Sequence, residues 1–120
     1  MSSTLCVSIT HSKNDLDKAT VGFVVANAAV ASGQDTLVFL SIEGVRLSVR
    51  GFADGLQEEG FAPIGELMAS FVKAGGRIFV CSPCMKKRGL SEQPLVDGAT
   101  IVGGAKLVEF LAGGAACISY

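Results

Sequence analysis

The chain has 120 residues, 49% of them hydrophobic and 18% charged, with a formal net charge of −1. That length is one domain, residues 1–120, large enough to bury a core, and the apolar content excludes disorder of the whole chain. The near-neutral charge leaves no electrostatic footprint for nucleic acid, and no apolar run reaches the ~20 residues of a membrane span.

The elements follow in chain order. "LCVSIT" at 5–10 reads as a strand, ended by His11 and Ser12. Asn14 or Asp15 caps a helix whose apolar residues recur at helical spacing up to Gly33. "DTLVFLS" at 35–41 is a nearly continuous apolar run, the pattern of a strand covered on both faces. "EGVRLSVRG" at 43–51 reads as a short helical segment, and 52–63 as a turn-rich, acidic surface excursion. The stretch 63–76 opens with Pro63 and closes with Gly75-Gly76, the expected asymmetry of a helix. "RIFVC" at 77–81 is the third strand and "CMKKRGL" a turn or two of helix. A short strand at 97–103, a helix at 104–114 and a last strand at 115–120 complete the chain.

Strands alternating with helices predict an α/β fold: a mostly parallel five-stranded sheet with helices on both faces, a three-layer sandwich. In such a sheet ligands bind beyond the carboxyl ends of the strands. That rule selects His11, Glu43 and the Cys81–Cys84 stretch, which places the single histidine and the single close cysteine pair on one edge. The Gly-Gly pairs match neither dinucleotide nor phosphate-loop spacing and read as turns and caps.

Four cysteines without a secretory leader point to the reducing cytoplasm, where structural disulfides are rare. Cys6 and Cys117 lie in apolar strands and are expected to pack as small hydrophobes in the core. They would pair only if the first and last strands were neighbours. Cys81 and Cys84 differ. Cys81 ends a strand, Cys84 falls in the first turn after it, and Lys86, Lys87 and Arg88 follow. Helix start and basic run both favour thiolate, the nucleophilic form, so a low thiol pKa is expected. His11 on the same edge is a candidate base, and Glu43, Lys86 and Arg88 are candidate supporting residues. A redox pair, a sulfur acceptor and an incidental strand-end cysteine all fit this spacing. One CxxC without a second gives too few ligands for zinc, so no metal is expected, and nothing in the chain calls for a cofactor.

"ITHSKNDLDKATVGFVVANAA", "TLVFLSIEGVRL", "RIFVCSPCMKKRGL" and "DGATIVGGAKLVEFL", in this order and spacing, resemble the DsrE/DsrF-like family of small sulfur-relay proteins. The resemblance implies a flavodoxin-like sheet and assembly into homotrimers or homohexamers. The apolar surplus independently suggests self-association. It also implies that the strand-end cysteine, here Cys81, accepts sulfur as a persulfide and passes it to a partner protein, a sulfurtransferase-like role. Cys84 lies outside that basic pattern. Its presence leaves open a thiol–disulfide oxidoreductase or redox sensor built on Cys81–Cys84, and a non-enzymatic oligomeric binding module is the third reading.

Overall fold

The computed structural model describes residues 3–120. Five parallel strands, β1 Thr4–Ile9, β2 Asp35–Leu40, β3 Arg77–Cys81, β4 Ala99–Val102 and β5 Ala116–Ser119, form one sheet in the order β4-β3-β2-β1-β5. Four α-helices connect them: α1 Leu16–Ala31, α2 Ile64–Lys73, α3 Ser82–Lys87 and α4 Gly104–Ala112. The α/β sandwich with helices on both faces is therefore present. Among the described residues no helix is long and apolar enough to cross a membrane.

Local chemistry explains the boundaries. The Asp15 carboxylate accepts the Lys18 N–H at 3.1 Å and so caps α1. Pro63 stands at the N-cap of α2, whose first turn needs no donor from it. Segment 43–51 is helical only in part, as a 3-10 helix over Ile42–Ser48.

Strand alternation divides the core into two parts. One face presents Val7, Ile9, Val38, Leu40, Ile78 and Val80 to α1 and α2, where Phe23 and Phe71 meet edge to face at 6.1 Å. Gly22 of α1 lets the helix lie directly against the Ile9 side chain. Asn27 ties the two helices together, donating to Phe23 O at 2.8 Å and Leu67 O at 2.9 Å. The opposite face presents Cys6, Leu37, Phe39 and Phe79 to α4 alone. No residue of α4 or β5 is fully buried, and Val108 is 63% exposed.

Candidate functional site

The site is built where β3 leaves the sheet. Cys81 is at once the last residue of β3 and the N-cap of α3, with Cys84 in the first turn of that helix. Both are free thiols, near enough for Cys84 to act on the ionisation of Cys81. Both are half-buried.

The other wall comes from the end of β2. Gly44 packs so tightly on β1 that a Cβ there would run into the Ile9 carbonyl. Its N–H donates to Thr10 O at 3.2 Å and to Ser41 O at 2.9 Å. Pinning the chain there puts Ile42 at φ 55°, a left-handed conformation that β-branched residues rarely adopt. From that strained position the Ile42 N–H donates to Cys84 Sγ at 3.2 Å.

Charge is arranged around Glu43. Arg88 Nε donates to Glu43 Oε2 at 2.7 Å, and Arg46 Nε to Glu43 Oε1 at 2.8 Å. These two guanidiniums hold the Glu43 carboxyl below its usual value. Arg88 also donates through Nη1 to Cys84 O at 3.2 Å, so one side chain braces both the carboxylate and the turn carrying the cysteine. Its side chain is only 11% exposed. Of the basic run, Arg88 alone turns inward; Lys86 and Lys87 stand in solvent.

The expected low thiol pKa of Cys81 is corrected. Burial pushes the Cys81 thiol up, its hydrogen bond to Cys84 adds to that, and the opposing pull of the Cys84 N–H and of Arg88 is weaker. The expected core position of Cys117 is corrected too. Cys6 is fully buried, whereas Cys117 is exposed, because β5 is the sheet's last strand and α4 does not reach over it.

The structure brings Cys81, Cys84, Glu43 and Arg88 together. His11 follows β1, and β2 lies between that strand and β3. The His11 ring lies instead against its neighbour, with Nδ1 at 3.1 Å from Thr10 Oγ1. Arg46 and the Ile42 backbone are members that sequence reasoning missed. Arg46 carried a weak signal, standing three residues after Glu43 in a helical segment. The Ile42 conformation carried none, because isoleucine is among the residues least suited to it.

Among the described residues no group of three or more His, Cys, Asp or Glu side chains converges on a metal position. A cavity of about 410 Å³ opens elsewhere, between α2, the Arg50–Asp54 turn and Val96, and neither cysteine lines it. The two cysteines are partly open to solvent where β3 leaves the sheet.

The model of the DsrE/DsrF-like family matches residues 4–120. Among curated proteins the chain is 27% identical over 108 residues to an uncharacterized protein of Methanopyrus kandleri, MK0008, covering 89% of this chain and 85% of that one. It is 28% identical over 106 residues to MJ0989 of Methanocaldococcus jannaschii, also uncharacterized, covering 88% and 89%. MJ0760 of the same organism, again uncharacterized, is 26% identical over 102 residues, which are 85% of this chain and 37% of that protein. Among solved structures, the crystal structure of the ychN protein from E. coli superposes with a TM-score of 0.82 at 19% identity, covering 100% of both chains. A protein of unknown function from Methanobacterium thermoautotrophicum, MTH1491, does so with a TM-score of 0.77 at 16% identity, covering 98% and 99%. At these identities the likeness to solved structures speaks for the fold.

Proposed function

The chain belongs to the DsrE/DsrF-like family, and from that premise we propose that it is a small sulfur carrier. It takes sulfane sulfur as a persulfide on the Cys81–Cys84 pair and hands it to the thiol of a partner protein. The observation that carries this reading is the Ile42 N–H aimed at the Cys84 sulfur at 3.2 Å, one helical turn from Cys81 at the end of β3. That bond holds the sulfur in one position at the carboxyl edge of the sheet.

The step is a sulfur exchange without net oxidation. The Cys84 thiolate attacks the outer sulfur of a donor persulfide, the donor's S–S bond breaks, and the donor leaves as a thiolate while Cys84 becomes a persulfide. Handover is the same step in reverse on a new thiol. Burial pushes the Cys81 thiol up, which disfavours its attack on a Cys84 persulfide with loss of hydrogen sulfide. The strand-end role that family resemblance gives to Cys81 thereby moves one helical turn, to Cys84. Arg88 and Arg46, with Glu43 balancing one of their charges, fix the turn and leave a net positive rim for an anionic sulfur species. The setting is cytoplasmic, and the working form is a homo-oligomer.

Mass spectrometry after exposure to a small persulfide donor tests the reading. Wild type and Cys81→Ser gain one sulfur atom, and Cys84→Ser does not. The opposite pattern returns the acceptor role to Cys81, and no gain in the reduced wild type ends the carrier reading. A second reading, a thiol–disulfide oxidoreductase, is favoured by the placing of two free thiols within one helical turn at the end of β3. It predicts reversible Cys81–Cys84 oxidation with turnover in a glutathione redox buffer.

A further inference from the structure

The cysteines outside this site are brought together by the fold. β1 and β5 lie side by side and parallel, with Cys6 and Cys117 as direct register partners. Register partners on parallel strands point to the same face, with Cα atoms about 4.8 Å apart, inside the range a disulfide spans. Among the described residues, the one hydrogen bond seen for the Cys117 thiol runs to Ile118 O at 4.0 Å. Their environments are opposite: Cys6 is fully buried under the α4 face, and Cys117 stands exposed on the edge strand. Burial, and then the neighbouring Cys117, push the Cys6 thiol up to about 12, so it waits as a protonated thiol.

We infer that Cys6 and Cys117 form a second, independent thiol site, an oxidation-sensitive pair in which exposed Cys117 meets a peroxide and buried Cys6 resolves it. In the first step the Cys117 sulfur attacks one oxygen of the hydroperoxide. The O–O bond breaks, Cys117 becomes a sulfenic acid and water (or an alcohol) leaves. In the second step Cys6 gives up its proton and attacks the Cys117 sulfur. A second water departs and a disulfide joins β1 to β5. The peroxide is the oxidant and is reduced by two electrons; the thiol pair supplies them. Register holds the resolving thiol beside the sulfenic acid, which offsets its poor ionisation by proximity. The product staples the edge strand β5 to its neighbour β1 and closes a loop of nearly the whole chain, the geometry in which a cross-link constrains the unfolded state most.

The sequence makes the test clean. Trypsin leaves Cys6 on a peptide ending at Lys13, Cys81 with Cys84 on the peptide Ile78–Lys86, and Cys117 on the peptide beginning at Leu107. The folded, reduced protein is pulsed with hydrogen peroxide, alkylated under denaturing conditions, digested and mapped. The expected result is a cross-linked peptide pair joining Cys6 to Cys117, formed equally in Cys81→Ser/Cys84→Ser and absent in Cys117→Ser. In Cys6→Ala a dimedone adduct accumulates on Cys117, and oxidation of wild type raises Tm where oxidation of Cys6→Ala does not. Full alkylation of both peptides after the pulse overturns the proposal. So does Cys117 advancing to sulfinic acid in wild type while Cys6 stays alkylatable. Neither result bears on sulfur transfer at Cys84, which is read on a different peptide.

Discussion

The two faces of the sheet are made by the same strands and are covered very differently. On one, α1 and α2 bury Phe23, Ile64 and Phe71 completely and add hydrogen bonds between helices. On the other, a single nine-residue helix crosses the sheet, buries none of its own residues fully and leaves β5 open. The first face behaves as the stability core of the isolated chain. The second is thinly covered and contributes little to that core. The cysteines record the difference, since Cys6 lies beneath the thin cover and its register partner Cys117 lies outside it.

The largest expected effect falls on the thick face. Phe71→Ala removes a buried ring and its edge-to-face partner contact, and is expected to cost about 3–5 kcal/mol in denaturant unfolding. Val108→Ala on α4 is expected to change stability by no more than about 0.5 kcal/mol. Val108→Asp instead lowers the oligomeric state in light scattering. Equal costs for Phe71→Ala and Val108→Ala would break the comparison.

Next in size is the junction that joins fold to site. Gly44→Ala drives a methyl group into the Ile9 carbonyl, and backbone cannot yield as a flexible side chain can. A loss of about 3 kcal/mol is expected, together with slower persulfide loading, because the Ile42 N–H no longer meets Cys84. A variant as stable and as reactive as wild type would show that Gly44 does not position this turn.

The smallest effect concerns Glu43. Glu43→Gln is expected to cost about 1 kcal/mol, reduced by added salt, since the carboxylate is partly exposed and its pairs are screened. Its folded-state pKa lies below the unfolded value of 4.5, so its stabilisation is complete above that pH and disappears as pH falls through the folded value. Urea midpoints at stepped acid pH should therefore separate wild type from the variant near neutrality and converge in strong acid. A constant gap would assign the cost to shape rather than charge.

Much of the fold was legible because its signals are local. The apolar run of β2, the cap at Asp15, Pro63 at a helix start and the Gly-Gly stops each act within a few residues, and the alternation of elements then leaves a parallel sheet as the way to bury them. The edge on which Cys81, Cys84, Glu43 and His11 would gather followed from the same alternation.

The sequence by itself determined the α/β class, the element order and the cysteine pair at the end of β3. Only the tertiary structure decided strand order, and with it three things that no local pattern carries. It put β2 between His11 and Cys81, set β5 beside β1 so that Cys6 meets Cys117, and turned Arg88 alone of three basic residues inward onto Glu43. It also reversed the expected ionisation of Cys81. A neighbouring charge can be read from spacing, but desolvation depends on what covers the sulfur, and that cover is assembled from β2, the Ile42 turn and α3, segments some 40 residues apart in the chain.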